Sequence, residues 1–148
     1  MEKKKHYKSF ILKLIECGIS PADVYLHSSG YMNGVYECAD EVLKLIPSGK
    51  VIEYGCGTGF MTDYLSNCGL DSYGYDIKNH EENLEVFKDN NIQDKLWNRL
   101  DGTYITDLNG LNKFDAVILN ASYEHFDDRT LEIEKIKNIL KDDGYVFI

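Results

Sequence analysis

The segment Val51-Ile52-Glu53-Tyr54-Gly55-Cys56-Gly57-Thr58-Gly59-Phe60 constrains this chain more than any other. A short apolar run with strand texture meets three glycines spaced two apart and passes straight into a helix-length stretch. Glycines at such a turn permit positive φ and let backbone amides come close to a ligand at a helix N-terminus. Open α/β sheets bind ligands at the carboxyl ends of their strands, so a nucleotide-like ligand is expected there. A dinucleotide loop requires G-x-G-x-x-G, whereas this one reads G-x-G-x-G with Phe at position 60. A phosphate-binding P-loop is excluded as well, because no Gly-Lys-Ser/Thr follows. Glu53, two residues ahead of the first glycine, would repel a pyrophosphate but could hold a cation or an ammonium group through water. The expected ligand carries no phosphates.

Beyond residue 50, apolar runs alternate with helix-length segments at 51–54, 60–68, 72–76, 81–88, 95–100, 115–120, 130–140 and 144–148. Near-continuous apolar strands alternating with helices are the pattern of a parallel sheet covered on both faces. The fold class is therefore α/β, a doubly wound, mostly parallel Rossmann-like sheet of about five strands. Ahead of it, residues 1–49 read as a helical cap. Tyr7, Phe10, Ile11, Leu14 and Ile15 share one helical face, and Cys17-Gly18 supplies a stop. Ser20-Pro21 opens another helical turn, residues 27–34 read as a glycine-containing loop, and 36–46 read as a helix halted by Pro47-Ser48-Gly49. With 148 residues, the cap and the domain at 50–148 are expected to form one compact unit.

Charge narrows the partners. Twenty-five acids against 16 bases give a formal net charge of −9, which opposes the approach of a polyanion. Lys3, Lys4, Lys5 and Lys8 form the only basic cluster and read as a solvated tail, so no nucleic-acid partner is expected. No apolar run approaches the ~18 residues of a membrane span, and the stretch after the first lysines is broken by Lys13 and Glu16, so neither insertion nor secretion is expected. Cys17, Cys38, Cys56 and Cys68 form no C-x-x-C pair and no zinc spacing. The expectation is reduced thiols, no metal and a cytoplasmic location.

The run Glu53-Tyr54-Gly55-Cys56-Gly57-Thr58-Gly59 resembles the first motif of the class I S-adenosylmethionine-dependent methyltransferases, an acid followed by x-G-x-G-x-G. Ser72-Tyr73-Gly74-Tyr75-Asp76 resembles that family's second strand, whose terminal acid takes the ribose hydroxyls. Leu100-Asp101-Gly102 resembles the loop after strand three, where an acid meets the adenine amino group. The stretch from Phe114 to Asn120, followed by Tyr123-Glu124-His125-Phe126, is similar to the fourth-strand motif of small-molecule methyltransferases such as the ubiquinone-pathway enzymes, and Ile139 to Tyr145 looks like the turn into strand five. The resemblance implies S-adenosylmethionine as cofactor and S-adenosylhomocysteine as product. It implies cofactor contacts from Glu53, Gly55, Cys56, Gly57, Thr58, Gly59, Asp76, Ile77, Asp101, Gly102, Asn120 and Ala121.

His125 is the candidate general base, because histidine titrates near neutrality and could take a proton from a hydroxyl or amine. Its alternative role is to position the loop after strand four. His27 and Tyr31 are candidates for closing over the site, and a plain surface loop is the alternative. Position 120 begins Asn-Ala-Ser-Tyr rather than Asn/Asp-Pro-Pro-aromatic, and no Pro-Cys nucleophile exists, so the nucleic-acid methyltransferase classes lose support. The family's seven-strand fold implies an antiparallel hairpin beside strand five, which residues 1–148 do not contain. Methyl transfer to a small molecule is the first expectation, and a truncated, non-catalytic cofactor-binding module acting through a partner chain is the alternative. A second copy or a partner chain is expected at the edge of strand five.

Overall fold

The computed structural model describes residues 2–24, 29–77, 85–88, 91–111 and 113–148. Five strands, β1 (Lys50–Tyr54), β2 (Asp71–Tyr75), β3 (Thr103–Ile105), β4 (Phe114–Ile118) and β5 (Leu140–Phe147), pair in the order β3-β2-β1-β4-β5. Every pairing is parallel. The chain leaves β1 toward β2 on one side and β4 toward β5 on the other. The crevice between the carboxyl ends of β1 and β4 is thus the point where the winding reverses. The sheet is the doubly wound α/β architecture that the alternating pattern predicts.

Both sheet faces are covered, and the alternation of strand side chains divides the core in two. Val51, Ala116 and Ile118 face α1 (Lys3–Glu16), α2 (Ser29–Leu45) and α3 (Phe60–Asn67), while Ile52, Tyr54 and Val117 face Ile136 and Ile139 of α5 (Arg129–Ile139). On α1, His6, Phe10 and Leu14 recur every four residues and are buried. Ile15, expected on that face, is 56% exposed, because the helix turns it past the edge of the contact. The stop at Gly18 is as expected: its φ is 78°, and Ile19 N–H reaches back to the Leu14 carbonyl.

Three local expectations are corrected. Ser20-Pro21 opens only a 3₁₀ turn, Pro21–Val24. The 27–34 stretch is not a loop throughout, because α2 already begins at Ser29. Gly30 and Gly34 each cost roughly 1 kcal/mol of helix propensity, but Met32 and Val35 continue the buried face of Tyr36, Ala39 and Val42, at ~1.5–3 kcal/mol per buried side chain. The third correction concerns residues 95–100, expected as a strand. Residues 95–97 end α4 (Ile92–Trp97), residues 98–100 turn out of it, and β3 follows the Asp101-Gly102 turn. Leu96 and Trp97 are both buried, Trp97 against the Gly57 carbonyl of the glycine loop, and so short an apolar run does not distinguish a strand from a buried helix turn. Residues 81–84 of the expected helix at 81–88 lie outside the described residues, and the remainder includes a 3₁₀ turn at Glu85–Phe87.

β5 begins four residues earlier than expected. Phe114 pairs with Leu140 and Ala116 with Tyr145, so residues 141–144 bulge out before the ladder resumes. No helix among the described residues is long and apolar enough to cross a membrane.

Candidate functional site

The glycine loop joins β1 to α3 at the winding reversal. Gly55, Gly57 and Gly59 have φ of 86°, 52° and 84°, all in the left-handed region that penalises a side chain. Close contact adds a second constraint at two of them. A Cβ on Gly55 would lie 2.7 Å from Ser122 Cβ, and one on Gly59 would lie 2.4 Å from Tyr104 Cε1. The loop is tied to β2, since Gly55 N–H and Cys56 N–H both donate to the Tyr75 carbonyl at 2.8 and 3.0 Å.

Asp76, the first residue after β2, reaches over this loop. One carboxylate oxygen accepts from Gly57 N–H at 2.6 Å and the other from Ile77 N–H at 2.8 Å. Burial pushes its carboxyl above the ordinary range, and the two amide donors pull it back part of the way. Each oxygen retains acceptor capacity beyond the single N–H it holds.

Glu53 has partners within the fold. It is 5% exposed, and its Oε2 accepts from Thr62 N–H at 3.1 Å and Thr62 Oγ1 at 2.7 Å. α3 starts at a glycine, which has no side chain to cap the free amides of the first turn, and the carboxyl of the neighbouring strand supplies the cap. Burial raises this carboxyl to about 8 against the bonds from Thr62. Glu53 is therefore tied to the first turn of α3. Cys56 is likewise buried, beneath the loop against Gly74, and burial pushes its thiol well up. Thr58 is buried too.

Two aromatic residues that sequence reasoning missed brace the loop from below. Trp97 Nε1 donates to the Gly57 carbonyl at 3.2 Å, and Tyr104 stacks on the Trp97 ring with centroids 5.4 Å apart. The Tyr104 hydroxyl, within 3.1 Å of the Gly59 carbonyl and 3.0 Å of the Asp101 carbonyl, shares its one proton between them. Nothing local marks these residues, because their partners are backbone carbonyls from another part of the chain.

Asp101 and Gly102 require correction. They precede β3 and lie at its amino end, whereas the loop and Asp76 are at the carboxyl ends. Asp101 is exposed, and its carboxylate accepts from Asn67 Nδ2 at 3.0 Å with Lys13 Nζ at 3.9 Å. The residues that follow β3 are Thr106 and Asp107, which line a cavity of about 290 Å³ with Tyr75, Lys135 and Asn138. The misplacement follows directly from reading 95–100 as the third strand.

Beyond β4 the chain turns sharply. Asn120 is half-buried, and Ala121 takes φ 53°, rare for a residue with a side chain. Ser122 is buried against Gly55. His125 ends the 3₁₀ turn Tyr123–His125 with its side chain exposed, and its N–H donates to the Ser122 carbonyl at 3.1 Å. Tyr31 stands in the first turn of α2, near enough to Glu53 for that carboxyl to add to the effect of burial in raising its phenol. His27 lies outside the described residues.

Comparison with known proteins agrees with this geometry. The methyltransferase domain family matches residues 30–148. The ubiquinone biosynthesis O-methyltransferase of Haemophilus ducreyi is 30% identical over 105 residues, covering 67% of this chain and 44% of that protein. The mitochondrial ubiquinone biosynthesis O-methyltransferase of Dictyostelium discoideum is 33% identical over 109 residues, covering 67% and 34%. The chain spans less than half the length of these curated relatives. Among solved structures, a TehB-like SAM-dependent methyltransferase from Corynebacterium glutamicum has a TM-score of 0.59 at 20% identity, over 86% of this chain and 72% of that one. The glycopeptide N-methyltransferase MtfA complexed with S-adenosyl-L-methionine has a TM-score of 0.51 at 17% identity, over 76% and 52%. These structures share the fold. The family match takes in α2, the glycine loop and all five strands, and the chain therefore belongs to the methyltransferase domain family, built on its class I Rossmann-like sheet.

Proposed function

We propose that this domain binds S-adenosylmethionine over the Gly55–Gly59 loop and directs its methyl group to a hydroxyl of a small molecule. The observation that carries the reading is the Asp76 carboxylate, held at the end of β2 by the Gly57 amide, beside three glycines of positive φ. A carboxylate over the loop opposes a phosphate and accepts hydroxyl donors, which fits a nucleoside with a free ribose diol. The bare Cα atoms of the loop leave room for close approach. When bound, the cofactor supplies an electrophilic methyl on a sulfonium. Displacement at that carbon needs alignment and exclusion of water more than a nucleophilic side chain, so the contribution of the chain is positional.

Asp76 would take the ribose hydroxyls, with Ile77 beside it, while the loop and the Asn120–Ala121 turn form the crevice wall. His125, at the carboxyl end of β4, would receive the proton of the acceptor hydroxyl. The O-methyltransferase names of the curated relatives support an oxygen acceptor. A second reading, a cofactor-binding module that works through another chain, is favoured by β5, an edge strand whose Tyr145 and Val146 are 49% and 44% exposed.

Titration calorimetry with S-adenosylmethionine and S-adenosylhomocysteine tests the proposal. Both ligands are expected to bind, the product at least as well as the cofactor, because the methyl group adds little contact area. Asp76→Ala should weaken both by about 10- to 150-fold, the value of a charge-assisted hydroxyl pair at ~1.5–3 kcal/mol. Unchanged affinity in that variant would overturn the ribose assignment, and no binding of either ligand would overturn the proposal. Turnover in the presence of bound cofactor separates the enzyme from the module.

A further inference from the structure

Lys3, Lys4 and Lys5, expected as a solvated tail, form the first turn of α1. Between this turn and α2 lies a cavity of about 370 Å³, walled by Lys3, Lys4 and Tyr7 from α1 and by Met32, Asn33 and Tyr36 from α2. Its volume falls in the ~300–1,000 Å³ range of small-molecule sites. The walls are fixed in advance. The Tyr36 hydroxyl is 3.0 Å from the Lys3 carbonyl and 2.9 Å from His6 Nδ1, and His6 Nε2 is 2.8 Å from Asp63 Oδ2 on α3. Lys3 Nζ meets Asp40 at 2.5 Å and stands 5.5 Å from the centre of the Tyr36 ring. These contacts hold α1 on its neighbours, so the cavity does not depend on a ligand to form.

The lining has an apolar side and a cationic side. Met32 and Tyr36 are buried and, with the half-buried Tyr7, make an apolar floor. Asp40 compensates the charge of Lys3, whereas Lys4 is exposed and has no acidic partner among the described residues. Asn33 adds an exposed amide. No acid lines the cavity, in a chain whose net charge is −9. The field of distant acids is screened within about 8–10 Å at physiological salt, so the groups at the cavity itself set what enters.

We propose that this cavity is a second ligand site, built for a small organic anion whose apolar body rests on Met32, Tyr7 and Tyr36 and whose carboxylate meets Lys4 and Asn33. An inorganic anion matches the charge and leaves the apolar floor wet. A neutral ring covers the floor and leaves Lys4 without a counter-ion. Only a molecule with both parts satisfies both sides. None of the Gly55–Gly59 loop, Asp76 and His125 lines this cavity, so the site is separate from the one proposed for the cofactor.

Proton–nitrogen NMR of the intact, cofactor-free chain, titrated at constant ionic strength with benzoate, benzyl alcohol and inorganic phosphate, tests the proposal. Benzoate should shift the backbone amides of residues 3–7 and 29–36 saturably and leave those of the Gly55–Gly59 loop in place. Lys4→Gln should weaken benzoate by about 1.5- to 5-fold, the value of an exposed ion pair, and leave benzyl alcohol unchanged. Asn33→Phe, which fills the cavity from an exposed position, should abolish the binding of both. Unchanged amide shifts in β1 establish that each variant is folded. Shifts that do not saturate or that map elsewhere would overturn the site. Benzoate binding no tighter than that of benzyl alcohol or phosphate, or unaffected by Lys4→Gln, would overturn the assigned ligand class. No cofactor is present in any of these titrations, so their outcome is independent of the proposed function.

Discussion

Glu53→Gln gives a direct measure of what the buried cap of α3 costs. The ordinary glutamate value here is 4.5, and burial raises it to about 8 in the folded chain. Between those values the unfolded chain has released the proton and the folded chain still holds it. Folding stability therefore falls as pH rises through this window, by about 1.36 kcal/mol per pH unit and on the order of 5 kcal/mol in all. Glutamine keeps a carbonyl for Thr62 N–H and Oγ1 and cannot ionise. At pH 5 the variant and the parent should differ by no more than about 1 kcal/mol, the value of one imperfect hydrogen bond. At pH 8 the variant should be more stable by several kcal/mol. Urea unfolding followed by circular dichroism at pH 5, 6.5 and 8 measures the difference, and it cancels the titration of every other group. A constant offset across that range, or a variant less stable than the parent at pH 8, would refute the argument that Glu53 is a neutral, buried cap.

Gly59→Ala should lose about 2–5 kcal/mol in urea unfolding, combining the left-handed penalty with the clash against Tyr104. Gly69→Ala, with φ 101° and nothing within 4 Å of its added Cβ, should lose only the backbone part, ~1–2 kcal/mol; equal losses would show that the Tyr104 contact is slack. His125→Asn should lower turnover of a hydroxyl acceptor by about 10²–10⁴-fold and leave cofactor affinity nearly unchanged, and a loss under about tenfold would reduce His125 to a positioning residue. At the exposed edge of β5, light scattering over a dilution series should show concentration-dependent association that Val146→Lys abolishes; a stable monomer at high micromolar concentration would mean that the edge is not an association site.

The strand, glycine loop and helix around residue 55 were legible because their signals are local. Left-handed backbone favours glycine whatever surrounds it, and near-continuous apolar runs next to helix-length stretches report a covered parallel sheet. That let the fold class and the position of Asp76 at the end of β2 be read directly. The start of α2 at Ser29 was not legible, since local propensity there favours a loop and only burial of Met32 and Val35 reverses it. Nor was the third strand, because Leu96 and Trp97 match a strand and a buried helix turn equally well, and the error carried Asp101 to the wrong end of the sheet. The sequence by itself determined where the backbone must be glycine and which residues must leave water. Only the tertiary structure decided that Glu53 caps α3, that Trp97 and Tyr104 brace the loop, and that His6 meets Asp63 across 57 residues of chain. The contacts of Trp97, Tyr104 and His6 join segments that are distant in sequence, and their energy exists only once the sheet has brought those segments within hydrogen-bonding distance.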